Sequence, residues 1–372
     1  MRILHVSDCY APRTGGIETQ VRDLSRTQVQ AGHEVHVLTA TVGADGARGG
    51  VVEDDDGVSV HRLGVRLPLD LPVNPAATGR MRTVMRGVAP DVVHVHAGVL
   101  SPFAYDGARV ALREELPLAI TWHCMLDGAV PLMRLLARPR WRGGEVALSA
   151  VSAAAAERVA AVFGGPVGVV PNGMDLEAWR PSGSPPSADG PLRCVATMRL
   201  APRKRGLALL GLVEDAVGQL EPGRLRLDVI GDGPQRAAMA RRIDRRGLGE
   251  VIRLRGRLER EQVRAAYTDA DVFVAPAVLE AFGIAALEAR AAGLVVVARR
   301  GTGIAEFVTD GLDGLLVDDD PGMARALVRL ATDRELRARL RGHAVRHRPV
   351  QGWRTTLAAA QAEYARAAAL AG

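Results

Sequence analysis

Aromatic side chains are scarce in this sequence: Phe, Tyr and Trp make up 3% of 372 residues. Proteins that hold single-stranded nucleic acid stack the bases on aromatic rings, so a supply this thin argues against such a platform. Cysteine is nearly absent as well. Cys9, Cys124 and Cys194 lie far apart with no C-x-x-C spacing. That excludes a zinc-finger framework and a disulfide scaffold, and predicts reduced thiols in a cytoplasmic protein. No apolar run is long enough to cross a bilayer, and Met1-Arg-Ile-Leu-His-Val6 passes straight into a strand pattern, so neither a membrane span nor a secretory leader is expected. The G-x-G-x-x-G fingerprint of dinucleotide folds is also missing, because Gly15-Gly16 and Gly231-Asp-Gly233 each lack the remaining glycine.

What is present reads as a soluble α/β protein. At 48% hydrophobic and 24% charged the composition is globular, and 372 residues fit two domains better than one core. The net charge of +6 attracts phosphates of any kind. Its arginines are spread along the chain rather than gathered in one run, so no nucleic-acid partner is expected. Short apolar strands at 3–6, 35–39, 58–63, 91–96, 118–123 and 146–151 alternate with helical stretches, and the alternation restarts at 193–197. This predicts doubly wound parallel sheets. Between the halves, 180–190 is rich in Pro, Ser and Gly and reads as a linker.

The most informative stretch runs from Asp271 to Ala298. A buried strand ends at Pro276, a helix occupies 285–292, Gly293 caps it, and a second buried strand follows. In the turn lie Glu280, Phe282 and Gly283, and Glu288 follows eight residues after Glu280. Free amides at a helix start attract phosphate, while carboxylates at a strand's C-terminal edge accept hydrogen bonds from sugar hydroxyls. Together they suit a nucleotide sugar. Elsewhere, Arg199 and Lys204 follow a strand and could clamp a diphosphate. His94 and His96 share one strand face and make a conceivable metal pair, but the sequence offers no third ligand, so no metal site is assigned. Asp54-Asp-Asp56 and Asp318-Asp-Asp320 mimic a metal-binding D-x-D, yet sit beside Gly or Pro and read as solvated turns.

Glu280-x-Phe282-Gly283, Glu288-Ala, Ala292-Gly293 and their flanking strands resemble the E-x7-E signature of retaining glycosyltransferases of family 4. Pro171-Asn-Gly-Met-Asp175 and Arg199-Leu-x-x-x-Lys204 resemble further family elements, although Met198 and the interposed Arg205 depart from the second. The resemblance extends from residue 1 to about 317 and implies a GT-B fold: α/β, with two Rossmann-like doubly wound domains facing across a cleft. The expected domains are 1–180 on the acceptor side, joined by a C-terminal helix over 353–370 that crosses back, and 191–350 for the donor. By resemblance Arg199, Lys204 and the N–H groups around Gly15, Gly16, Phe282, Gly283 and Ile284 hold the donor diphosphate. Arg253 and Leu254 lie in the segment whose backbone holds the base. Glu288 holds the ribose and Glu280 the sugar hydroxyls. His123 at a strand end contacts the donor sugar, with Cys124 where Asp is common.

The implied activity is metal-independent, retaining transfer from a GDP- or UDP-linked sugar to a hydroxyl acceptor in a bacterial cytoplasm, with no cofactor. A nucleotide-sugar epimerase and a non-catalytic nucleotide-sugar binder stay open as alternatives. The acceptor is expected to be small and soluble. A basic amphipathic segment over 132–142, with Arg134, Arg138 and Trp141, leaves weak contact with anionic membrane and a glycolipid acceptor as the other option.

Overall fold

The structure, a computed structural model, describes residues 1–13, 15–43, 51–65, 74, 76–128, 130–136, 141, 146–181 and 190–372. Most of the expected linker therefore lies outside the described residues, as do 137–140 and 142 of the basic segment. The chain forms two compact units, Met1–Gly173 with Gln351–Gly372, and Met174–Val350.

Eight strands build the sheet of the first unit: β1 (Arg2–Ser7), β2 (Glu34–Thr39), β3 (Val51–Asp55), β4 (Val58–Arg62), β5 (Val92–Ala97), β6 (Leu118–Trp122), β7 (Ala147–Ala150) and β8 (Val167–Val169). Their order is β3-β4-β2-β1-β5-β6-β7-β8. All neighbours are parallel except β3 with β4, so the order reverses between β1 and β5. The helices are α1 (Gly16–Gln30), α2 (Ala77–Val88), α3 (Pro102–Arg113), α4 (Val130–Leu136) and α5 (Ala153–Phe163). Near-continuous Val, Ile, Leu and Ala runs in β1, β5 and β6 follow from helices covering both faces of a parallel sheet.

The second unit holds β9 (Leu192–Thr197), β10 (Leu225–Ile230), β11 (Ile252–Gly256), β12 (Val272–Ala275), β13 (Val295–Arg299) and β14 (Gly314–Val317), in the order β11-β10-β9-β12-β13-β14, all parallel. Here the order reverses between β9 and β12. Its helices are α6 (Gly206–Val217), α7 (Arg236–Arg245), α8 (Arg260–Thr268), α9 (Ile284–Ala291), α10 (Asp320–Thr332) and α11 (Arg334–Arg346). The last helix, α12 (Trp353–Ala371), packs back on β6, β7 and α1 of the first unit through Ala360, Tyr364 and Ala367.

Several expectations change. The units part between Gly173 and Met174, because Trp179 buries its ring beside Tyr267 at 5.5 Å in the second unit. Asp54 and Asp55 belong to strand β3 rather than to a solvated turn, and Asp55 accepts from Arg22, Arg26 and the Tyr10 hydroxyl. At the other cluster Asp319 caps α10 while Asp320 pairs with Arg205 and Arg299. Trp141 is buried beside Tyr105 and Phe163 at 5.8 and 6.1 Å, so it offers no apolar contact to a membrane. Arg134 donates to the Ala161 carbonyl at 2.7 Å.

Candidate active site

In a doubly wound sheet, ligands bind beyond the strands' C-terminal ends where strand order reverses. In the second unit β9 and β12 flank that point. The loop after β9 carries Arg199 and Lys204, and the turn after β12 carries Glu280, Phe282 and Gly283. A short 3-10 turn, Pro202–Lys204, directs the Lys204 ammonium onto the Glu280 carboxylate, and the two form a salt bridge with both side chains mostly buried. Arg199 is exposed and has no side-chain partner among the described residues. The sequence thus brings a free guanidinium, an ammonium and a carboxylate to one edge. The interposed Arg205 is committed elsewhere, to Asp320 and to the Pro276 carbonyl at 3.1 Å.

Two glycines shape the turn. Gly283, at φ 90°, caps α9 in the left-handed region, and a Cβ there would meet the Ile304 side chain at 2.7 Å. Gly303 donates its N–H to the Glu280 carbonyl at 2.8 Å, so close that a Cβ on it would lie 2.0 Å from the Ala281 oxygen. The Phe282 ring is buried against Phe307 at 5.5 Å, which leaves its backbone, like the first-turn amides from Ile284 onward, at the helix start. Arg290, 2% exposed, pins α9 from behind through Asp313, the Ala344 carbonyl and the His347 carbonyl at 2.8, 2.7 and 2.6 Å.

Glu288 lies one turn and a half into this fixed helix. Among the described residues nothing donates a hydrogen bond to its carboxyl. Burial pushes its pKa up to about 7, and the charge of Arg260 only partly opposes this. A buried carboxyl with vacant acceptor positions suits a ligand that brings hydroxyls. Arg253 and Leu254 lie within the edge strand β11, where they pair in register with Asp228 and Val229. The Arg253 side chain lines a separate pocket with Arg193, Arg226 and Glu250.

In the first unit, Gly15 is extended and precedes α1, and Gly16 is its first residue. The Glu18 carboxylate lies over Gly15, 3.9 Å from Arg13. His123 follows β6, as expected, but it is not alone. His5 supplies the third imidazole that sequence spacing could not reveal: β1 and β5 pair in register at His5 and His94, and Ser7 at His96, which puts His5, His94 and His96 on one sheet face. His5 bonds His96 at 2.9 Å, and His96 bonds His123 at 3.0 Å. Burial holds His5 and His123 at about 4 and His94 and His96 well below the ordinary histidine value, so all are neutral. Each nitrogen of His5, His94 and His96 already has a hydrogen-bond partner, which accounts for the cluster without an ion.

One further residue escaped the sequence reading. Asp8, just past β1, accepts the Phe103 N–H at the start of α3 at 3.0 Å, and its burial raises its pKa to about 6. Lys204 carried a signal that was in plain view: the chain has 48 basic residues, and this is its one lysine. Arginine serves at the other Lys/Arg positions, and at 204 the cation is a compact ammonium rather than a planar fork.

Paired parallel sheets with cations and carboxylates at the strand-order reversal define a nucleotide-sugar glycosyltransferase of the GT-B fold. The model described as Glycosyltransferase Family 4 matches residues 14–178, and that described as Glycosyl transferases group 1 matches residues 192–333. The chain is 30% identical to the GDP-mannose-dependent alpha-mannosyltransferase of Mycolicibacterium smegmatis over 86% of this chain and 85% of that protein. It is also 30% identical to the D-inositol 3-phosphate glycosyltransferase of Kribbella flavida, over 96% and 93%. Anabaena HepE, solved in complex with UDP, shares the fold at a TM-score of 0.74 and 19% identity, covering 97% of this chain and 99% of that one. The chain belongs to glycosyltransferase family 4 and is a transferase enzyme. Among the described residues no helix is long and apolar enough to cross a membrane.

Proposed function

We propose that this enzyme moves a hexose from a GDP- or UDP-linked donor to a hydroxyl of a small soluble acceptor, with retention at the anomeric carbon, without a divalent metal, and in the cytoplasm. The observation that carries the reading is the set of charges at the β9–β12 reversal: exposed Arg199, Lys204 held by Glu280, and the start of α9. Arg199, Lys204 and the amides at Phe282, Gly283 and Ile284 stabilise the diphosphate as it departs, which is the work a metal does at other sites. Gly15 and Gly16 add backbone N–H groups to the same task. Glu288 accepts from the ribose hydroxyls, and the backbone at Arg253 and Leu254 meets the base. Glu280, released from Lys204 as the phosphates arrive, accepts from the sugar hydroxyls, and His123 contacts the sugar.

Retention rests on the E-x7-E pattern. The relatives support either nucleotide, since one is named for GDP-mannose and HepE was solved with UDP. The D-inositol 3-phosphate relative and the burial of Trp141 favour a small polyol acceptor over a membrane glycolipid. The test is a panel of GDP- and UDP-hexoses with and without inositol phosphates, read as nucleoside diphosphate release and as thermal shift. Release that requires acceptor supports transfer. Donor turnover with no acceptor and no diphosphate release would point to an epimerase, and stabilisation without any turnover to a binding protein.

A further inference from the structure

The buried histidines form part of a longer chain of hydrogen bonds whose direction can be worked out. His5 Nε2 meets Gln28 Oε1 at 2.6 Å, and Gln28 Nε2 meets the Tyr364 hydroxyl at 2.9 Å. Tyr364, carried back by α12, meets His94 Nδ1 at 2.9 Å, and His94 Nε2 meets Thr121 Oγ1 at 2.8 Å. Thr121 then meets Ser149 Oγ at 2.8 Å, and Ser149 meets the Ile120 carbonyl at 3.3 Å. Every side chain from His5 to Ser149 in this path is at most 3% exposed, although His94, His96 and Thr121 also line the pocket beside His123. Only His123, at the other end, is partly exposed, beside a pocket also lined by Gln20 and Asn172.

Neutral imidazole carries one proton, and each hydroxyl carries one. If donation runs from His123 toward Ile120, every contact receives a proton. His123 Nε2–H donates to His96, His96 Nε2–H to His5, His5 Nε2–H to Gln28, and Gln28 Nε2–H to Tyr364. Tyr364 donates to His94, His94 to Thr121, Thr121 to Ser149 and Ser149 to the carbonyl. If the amide of Gln28 is turned over and the direction reversed, Thr121 must donate to His94. Ser149 then has one proton for two acceptors, Thr121 Oγ1 and the Ile120 carbonyl. Only the first direction gives a proton to every contact, including the one to the carbonyl, which can only accept.

We infer that this chain is a tautomer lock: it holds the His123 proton on Nε2 and leaves Nδ1 as a bare acceptor toward the pocket, ready for a hydroxyl of the transferred sugar. Gln28, Tyr364 and Ser149 are then positioning residues, acting on the sugar only through His123. The sugar as ligand rests on the glycosyl-transfer reading; the tautomer does not. Of the two ring nitrogens of His123, only Nε2 has a protein partner among the described residues, as an acceptor kept for a ligand requires.

The test is 15N NMR of the histidine side chains in the full-length protein near pH 7.5. His123 is expected as the single Nε2–H tautomer. A single Nδ1–H tautomer or an imidazolium would overturn the lock. Tyr364→Phe keeps the ring but removes the hydroxyl, and should give His123 a mixture of tautomers with kcat/KM down roughly fivefold, a little under 1 kcal/mol of transition-state stabilisation. Should that variant not fold, Ser149→Ala removes only the hydroxyl that breaks the tie between directions, and predicts the same mixing. A pure Nε2–H tautomer in both folded variants contradicts the inference. In wild type, UDP-glucose or GDP-mannose should shift the His123 Nδ1 resonance while UDP or GDP alone leaves it in place. Equal shifts from both would remove the sugar from Nδ1. Failure of all four to bind would defeat the donor reading and leave the tautomer result standing.

Discussion

The two units bury ionisable groups in opposite ways. The first packs neutral bases, His5, His94 and His96, into a saturated hydrogen-bond path under α12. The second leaves an acid, Glu288, buried without a donor, and sets Lys204, Glu280 and Arg199 at the strand ends. A buried polar group that is fully partnered serves rigidity, whereas one left unpartnered costs stability until a ligand completes it. The difference separates a unit whose buried polar groups satisfy one another from a unit that keeps an unpartnered acid and an exposed arginine.

The largest expected break in that contrast comes from Lys204→Ala. It removes a charge-assisted contact worth about 1.5 to 3 kcal/mol, so steady-state kcat/KM should fall on the order of 10- to 150-fold. Lys204→Arg keeps the charge and should still lose roughly tenfold, because a planar fork replaces a compact ammonium. Full activity in the arginine variant would make the lone lysine an accident of composition.

Glu288→Gln should weaken donor binding at least about tenfold by calorimetry. At pH 8 the same substitution should raise the melting temperature of the unliganded protein by a few degrees, since it relieves a buried charge. A fall in both quantities would make Glu288 a structural residue.

The pH dependences contributed by the buried histidines and by Glu288 should run in opposite directions. His5 and His123 titrate near 4 when folded against about 6.5 unfolded. Their contribution is complete above pH 6.5 and is lost as pH falls toward 4, with a slope of up to about 1.4 kcal/mol per pH unit for each histidine. Glu288 has a folded value of about 7 against 4.5, so its contribution is complete below pH 4.5 and is lost as pH rises through 7. Denaturant melts from pH 4 to 8 should show the first trend in wild type and lose the second in Glu288→Gln. The smallest effect is expected from chelator, which should change the transfer rate by less than about twofold if fixed cations and the α9 amides carry the diphosphate. A rate abolished by chelator and restored by magnesium would end the metal-free reading.

Much of this was legible in the sequence because the signals were local. Continuous apolar runs gave the parallel strands, and the strand, turn, helix and strand around Glu280 and Glu288 stand where the sequence pattern put them. What sequence missed depends on register or on distant packing. His5 joins His94 only through the β1–β5 pairing, and Tyr364 reaches them only because α12 returns to the first unit. Acidic Asp54 and Asp55 concealed an edge strand, since Asp55's partners Arg22, Arg26 and Tyr10 lie far upstream. Trp141 offered apolar surface on paper and is spent in the core.

The most direct measurement is the affinity of GDP and UDP for wild type, Lys204→Ala and His123→Ala, taken beside their transfer rates. The account predicts that Lys204→Ala weakens the preferred diphosphate at least about tenfold, while His123→Ala binds it like wild type and loses transfer. If His123→Ala weakens the diphosphate as much as Lys204→Ala does, or if neither changes it, the division of labour between a charged donor unit and a neutral histidine relay is contradicted.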